Sequence, residues 1–441
     1  MKYEAFTNTL LNQSIKMSKT RILFNLLLLS AICLNTQIFA QNQRNLQYFR
    51  PPGLEGINQF ETAKDSSDVS FNGVKVRIGG DFALQFQAID HSTGSTDTLA
   101  TLGNNFNLPT ANLNLDVQLA DGVRMSLITY LSSRHHPEAW VKGGYIQIDK
   151  LDFIKKGFLE NVMKVVTVKA GLDEINYGDA HFRRTDNARA IYNPFVGNYI
   201  MDAFNTEAFG ELYFQKNGFL VMGGLSNGNL NQTVVKGTKE PKPSLYGKLG
   251  YDKQLTDDLR IRLTGSAYNS PGYDNGQYLY SGDRTGARYY NVMQLYDAQD
   301  NFRSGRFSPG FWKFTAFQVN PFVKWKGLEF FGIYELVNGD QSKTATGGSY
   351  TQMGAELLYR IGEKERFYIG GRYNLVTGKD TSNAEVKSID RINIGGGWFM
   401  TNNIKLKAEY VSQSYSGNGW SGSVFQGGRF NGAVIEATIG F

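Results

Sequence analysis

Cysteine is almost missing from this chain: Cys33 is the only one in 441 residues. No disulfide can form within it, and no cluster of thiolates can hold a metal. Proline is scarce, 10 against 49 glycines. Histidine occurs 4 times, at His91, His135, His136 and His181, with no metal-ligand spacing. An excess of one charge is missing too. The 46 basic and 40 acidic residues leave a net +6, too little over this length for a nucleic-acid binder. Long apolar runs are confined to Ile22–Leu34, about a dozen residues against the roughly 20 of a spanning helix. Collagen, coiled coil and α-helical membrane bundle are thereby excluded. The chain is instead rich in glycine, with 24 Tyr and 30 Phe, a composition of strands and turns.

The apolar run has an order around it. Lys16, Lys19 and Arg21 precede it, and Gln37-Ile38-Phe39-Ala40 follows. Charged, apolar, then small is the order of a secretory signal, with cleavage expected after Ala40 and Met17 as the expected start. Ile32 before Cys33 disfavours lipid attachment, and an uncleaved anchor is the alternative. The expected organisation is residues 1–40 as signal, 41–73 as a segment in the lumen or at its periplasmic mouth, and 74–441 as the folded body.

That body has a two-residue period. Val76, Ile78, Phe82, Leu84 and Phe86 share one parity, and Lys75, Arg77, Asp81, Gln85 and Gln87 the other. Leu113, Leu115, Val117 and Leu119 alternate with Asn112, Asn114, Asp116 and Gln118. The same holds over Leu259–Tyr268 and Ile404–Gln413. One such strand fits a soluble sandwich equally well. Many strands of about ten residues, without competing helical segments, point to an all-β transmembrane antiparallel barrel, apolar towards lipid and polar towards a lumen. Tight turns such as Ala120-Asp121-Gly122, Lys216-Asn217-Gly218 and Lys326-Gly327 alternate with long polar loops. Counting strands between them gives sixteen, or eighteen if Ala287–Tyr296 is a hairpin. The chain ends on Ala433, Ile435, Ala437, Ile439 and Phe441 at alternate positions, a strand that closure onto the first would protect. Trp312, Trp325, Trp398, Tyr359 and Tyr410 suit interfacial girdles, or ordinary sheet packing.

Three stretches carry a resemblance: LQYFRPPGLEGINQFE (Leu46–Glu61), VKAGLDEINYGDAHFRRTDN (Val168–Asn187) and NPFVGNYIMDAF (Asn193–Phe204). The chain resembles the outer-membrane porin superfamily, including its phosphate-selective branch. The resemblance implies that the third long loop, after strand five, folds into the lumen and forms a constriction. Carried onto this sequence, the constriction residues are Asp173, Glu174, Asp179, Arg183, Arg184, Asp186 and Arg189. It also implies a homotrimer. A basic ladder of the phosphate-selective kind has no residue-by-residue match here.

Read without the family, this loop is either a solvated surface loop or a polar eyelet. Inward positions on the first and late strands lean basic: Lys75, Arg77, Arg372, Arg391, Lys405 and Lys407, joined by Arg124 and Arg360 and opposed by Asp81, Asp116, Glu356 and Glu409. The expected arrangement sets Asp173, Glu174 and Asp179 across a gap from Arg372, Arg391, Lys405 and Lys407. Catalytic signals are few. Gly224-Leu225-Ser226-Asn227-Gly228 fits the G-x-S-x-G pattern, but the mechanism also needs a strand-to-helix turn and a histidine base. Asp179, Asp186 and Asp202 are a thin case for calcium. The expected function is passive diffusion of small hydrophilic solutes and ions, possible anions such as phosphate included, across an outer membrane whose lipid surrounds the barrel. No enzyme activity, cofactor, metal or nucleic acid is expected. The alternative is a closed barrel acting as an adhesin or assembly component. A plugged transporter is disfavoured, because Gln41–Gly73 is short for a plug.

Overall fold

Alternation of apolar and polar residues leaves each strand with one face that water rejects and one that lipid rejects. A closed barrel satisfies both, and it leaves no unpaired edge. The computed structural model describes residues 46–62, 64, 69–132, 140–228, 234, 242–272, 279–280, 288–297 and 304–441. The expected signal, residues 1–40, and His135-His136 lie outside the described residues. Among the described residues there are sixteen long strands and one two-residue strand, all in one sheet. They are β1 (Lys75–Ser92), the short β2 (Asn105–Phe106), β3 (Thr110–Ala120), β4 (Val123–Ser132), β5 (Trp140–Ile148) and β6 (Val166–Glu174). Next come β7 (Thr206–Lys216), β8 (Phe219–Ser226), β9 (Ser244–Gln254), β10 (Leu259–Ser270), β11 (Lys313–Trp325) and β12 (Leu328–Asp340). The last five are β13 (Gly348–Ile361), β14 (Phe367–Lys379), β15 (Lys387–Phe399), β16 (Ile404–Ser416) and β17 (Arg429–Gly440).

Every neighbouring pair is antiparallel, and β17 closes on β1 in the register Phe82↔Ile439, Leu84↔Ala437 and Phe86↔Ile435. The sixteen-stranded barrel is therefore closed. The eighteen-strand count does not hold. Residues 288–296 form turns and a single bridge, Leu295 to Leu99, and no hairpin. A polar loop with Arg288, Asn291 and Met293 at positive φ cannot extend into strands.

The outer wall is apolar. Ile78, Phe82, Leu113, Leu212, Leu249, Leu263, Ile394 and Ile435 are exposed on it. Trp325, Trp398, Tyr359 and Tyr410 are exposed there too, while Trp312 is half-buried. Inward residues of the same strands are polar and buried, such as Asp116, Asn320, Glu356 and Glu436. Tight turns join strands on one rim. Asn217 and Gly218 at φ 53° and 88° make the left-handed pair that a two-residue hairpin requires.

The terminus is zipped to the first strand. The Phe441 amide donates to the Gly80 carbonyl, and the Gly80 amide to the Phe441 carbonyl, both at 3.0 Å. Deleting Phe441 removes both bonds at the seam that closes the barrel. We expect a smaller heat-modifiable, folded fraction on detergent gels than after deletion of one residue from a loop on the long-loop rim. Equal folded fractions would refute this.

Candidate functional site

The third long loop, residues 175–205, leaves β6, the fifth of the long strands, and returns into β7. It crosses the lumen and lies on the far wall. Gly178 (φ 68°) and Asn187 (φ 51°) turn it where the αL conformation is required. Its charged residues dock it. Asp179 is fully buried, 3.0 Å from Lys248 on β9 and 2.8 Å from Arg262 on β10. Thr264 Oγ1 donates to it at 2.7 Å. Glu61, from the segment before β1, joins at 2.7 Å from Arg262 and 3.1 Å from Lys248. Burial alone would raise the Glu61 carboxyl. The facing Arg262 and Lys248 overcome that and hold it down to about 2. Arg183 reaches Glu329 at 2.6 Å and Glu356 at 2.5 Å, which also pair with Arg360 and Arg372 respectively, each at 2.7 Å. Asp186 is bound by Lys142 of β5 and accepts a 2.5 Å hydrogen bond from Tyr130 of β4. Arg184 is spent within the loop, on Asp202 at 2.6 Å.

The inward cations of the late strands hold loop backbone. Arg372 donates to the Gly197 carbonyl at 2.7 Å and Arg391 to that of Asn198 at 2.5 Å. Lys405 donates to Asn193 O at 2.9 Å. Lys407 donates to Ala190 O at 3.0 Å and Phe195 O at 2.9 Å, and pairs with Glu436 at 2.6 Å. Glu409 accepts from the amides of Val196 and Gly197 at 2.8 and 3.2 Å. The four cations point inward as expected, but the loop covers them to at most 3% exposure. They do not form a bare wall. An open gap between them and Asp173, Glu174 and Asp179 is not what the structure contains. Asp173 and Glu174 are not loop residues at all: they end β6, paired with Glu207 and Thr206. Continuing β6 satisfies their backbone groups where a loop would leave them open. Of the remaining basic positions, Arg77 pairs with Asp116 at 3.1 Å, and Lys75 is half-buried at the near rim.

Two further segments share the lumen. The stretch before β1 runs under the loop: Asn58 Nδ2 donates to Glu329 at 2.6 Å, and Phe60 packs edge-on against Phe182 and Phe322. The loop between β10 and β11 folds in from the other rim. Arg288 pairs with Glu436 at 2.6 Å, Tyr289 donates to Glu409 at 2.5 Å, and Phe307 N donates to Ile200 O at 2.8 Å. These loops meet inward apolar residues, Val337, Val376, Val411 and Phe430 among them, in one buried cluster with Ile200 and Met201. Sequence reasoning missed this second infolded loop. The available signal was the run of apolar residues at inward parity near the long-loop ends of strands, such as Val434 and Phe430.

Between the loop and the wall of β1 and β3–β7 lies a cavity of 190 Å³. Its cations are Arg50, Arg77, Arg124, Lys169, Arg184 and Arg189, and its carboxylates Glu61, Asp81, Asp116, Asp173, Glu174 and Asp186. The cavity therefore gathers five of the seven expected constriction residues, Asp173, Glu174, Arg184, Asp186 and Arg189; Asp179 and Arg183 are turned away into their ion pairs on the far wall. A second cavity, 980 Å³, opens at the short-turn rim beside Lys64, Lys253 and Arg260.

The catalytic and metal alternatives find no support in these placements. Ser226 ends β8 and donates its hydroxyl to Glu207, whereas His181 is held by Glu174 at 2.6 Å and Asn176 at 2.9 Å. Asp179, Asp186 and Asp202 are each taken by a cation.

Comparison with solved structures finds the same architecture. The loop L8 deletion mutant of OmpT, an outer membrane protein of Vibrio cholerae, superposes with TM-score 0.50 at 10% identity, over 84% of this chain and 100% of that one. The anion-selective porin from Comamonas acidovorans gives TM-score 0.50 at 11% identity, over 83% and 100%. What they share is the closed transmembrane barrel. At these identities the likeness is one of fold. No protein-family model matches the chain, and no curated protein matches it.

Proposed function

We propose that this protein is a passive outer-membrane channel for small hydrophilic solutes and ions. The observation that carries the reading is the charge-lined cavity left between the infolded loop and the wall of β1 and β3–β7. Most of these charges are paired, but Arg50, Lys169, Glu174 and Arg189 are only half-buried and border the open space, where they offer a solute replacements for its water of hydration. The porin among the structural neighbours supports the same reading. The six cations and six carboxylates of the lining are balanced, so nothing in it favours phosphate. The mechanism needs no catalytic residue and no cofactor. Secretory export with removal of residues 1–40 belongs to this proposal, as does residence in outer-membrane lipid. Assembly as a homotrimer belongs to it too: β6 and β8, at 9 and 8 residues, are short beside the 13 or 14 of β11–β16. A short wall suits contact with neighbouring copies better than a full lipid thickness. Monomer alone by native mass measurement in mild detergent would remove the trimer.

The test of the channel is conductance in a planar lipid bilayer. Stepwise ohmic currents from the folded, heat-modifiable barrel are expected. A folded barrel that inserts without conducting would instead support a closed barrel with an adhesive or assembly role, which the apolar cluster between the two infolded loops favours.

A further inference from the structure

The turns on the short rim leave two to five residues between strands, with one exception. From Ile148 at the end of β5 to Val166 at the start of β6 there are 17 residues (166 − 148 − 1). This connection is built rather than loose. The Ile154 amide donates to Leu151 O at 3.0 Å and Phe158 N to Lys155 O at 2.9 Å. Gly157 N donates to Asp152 Oδ1 at 2.6 Å, and the helix α1 (Glu160–Met163) follows, its Met163 turned inward.

Its apolar residues divide into two sets. Phe158 and Met163 line the 980 Å³ cavity at the mouth of the lumen. Phe153, Ile154, Leu159 and Val162 do not, and they stand 55%, 61%, 49% and 47% exposed. Four large apolar side chains on one short, internally bonded connection form a patch that water disfavours. The patch runs on into the lipid-facing wall: Val162 lies one helical turn before Val166, whose β-partner is the exposed Phe214, and Val168 pairs with the exposed Leu212. Basic side chains border it. Lys155 is exposed and makes no ion pair, and Lys164, just past the helix, reaches Glu160 at 3.0 Å and Asn161 at 3.5 Å. Apolar side chains with lysines at their margin are the composition of a segment that lies in a lipid interface.

We propose that residues 150–164 are an interfacial anchor. Phe153, Ile154, Leu159 and Val162 enter the acyl boundary of the periplasmic leaflet, and Lys155 meets the phosphates of anionic phospholipid. The proposal rests on the barrel spanning the membrane with its short turns on the periplasmic side. It is independent of whether the lumen conducts. The anchor would fix the depth of the short wall β6–β8 and hold one lip of the mouth cavity open beside the membrane.

The experiment places a single thiol at Ile154→Cys, in a chain carrying Cys33→Ser, and labels it with a polarity-sensitive fluorophore. The protein is reconstituted in nanodiscs of phosphatidylethanolamine and phosphatidylglycerol. Blue-shifted emission, quenched by brominated lipid and not by aqueous iodide, is the expected result. Adding Lys155→Glu should weaken the lipid quenching in phosphatidylglycerol discs and leave it unchanged in phosphatidylcholine discs. Quenching by iodide alone would place the segment in the periplasm and overturn the proposal. Protection from both quenchers would also overturn it, showing that protein, such as a neighbouring copy, covers the patch. A label at Leu212→Cys on the lipid-facing wall separates the failures. If that label is also water-exposed, the membrane placement has failed. If it is lipid-quenched while the label at position 154 is not, only the anchor has.

Discussion

Arg183→Met is expected to release the infolded loop from the wall of β12–β14. The guanidinium lies between Glu329 at 2.6 Å and Glu356 at 2.5 Å, and all three residues are buried. Removing one partner of a buried ion pair leaves charge without compensation, at a cost of about 3–5 kcal/mol. Arg360 and Arg372 still hold the two carboxylates at 2.7 Å each, which puts the expected cost near about 3 kcal/mol, the lower end of that range. Each 1.4 kcal/mol is about tenfold in an equilibrium, so the ratio of docked to undocked loop should fall by about two orders of magnitude. Single-channel recordings should then show frequent excursions to a higher conductance, and protease should cut within residues 175–205 of the folded barrel. Arg183→Lys should sit between wild type and Met, because an ammonium keeps the charge but not the planar group whose Nη2 reaches both carboxylates while its Nη1 donates to Asn58. Unchanged recordings and unchanged proteolysis would mean that the backbone contacts from Arg372 to Lys407 hold the loop unaided.

The barrel was legible because its rule is local. Parity along β1, β3, β10 and β16 assigns lipid and lumen faces without reference to any distant residue, and Arg77, Asp81, Asp116 and Lys407 all lie inward as that parity requires. What an inward side chain meets is a different kind of fact. Lys405 facing water and Lys405 donating to a loop carbonyl look the same in a sequence, since both demand a polar residue on the lumen face. The partner is 212 residues away in the chain, at Asn193. For the same reason Glu329, Glu409 and Glu436 carried no visible sign of holding Arg183, the Val196 amide and Lys407. The long loop's position after the fifth long strand could be counted, but its point of departure could not. Asp173 and Glu174 read as loop because the alternation weakens there, while the register with β7 carries the strand through them. The segment before β1 gave a family likeness and no physical signal of lying against Phe182.

Charge selectivity should therefore depend on the cavity lining and not on the late strands. Most lining charges are compensated at contact: Arg77 with Asp116 at 3.1 Å, Arg184 with Asp202 at 2.6 Å, Asp186 with Lys142, and Glu61 with Arg262 at 2.7 Å. Arg189 and Asp81 make no ion pair, and both border the cavity. Arg189 lies over the Tyr192 ring, 5.4 Å from its centroid, and Asp81 accepts from Asn114 at 2.9 Å. An ion passing within about 4 Å of one such charge feels about 4 kcal/mol at an effective dielectric of 20, less whatever salt screens. Even a third of that is about a tenfold change in relative permeability. Arg189→Gln should move the reversal potential under a salt gradient towards cation preference, and Asp81→Asn towards anion preference, with conductance of the same order as wild type. Lys405→Met and Lys407→Met should behave differently. They free loop carbonyls at Asn193, Ala190 and Phe195, so unstable and larger conductance steps are expected, with little change in reversal potential. If the late-strand variants shift selectivity while Arg189 and Asp81 variants do not, ions take a path along β14–β17 under the loop, and the cavity beside β1 and β3–β7 is not the route.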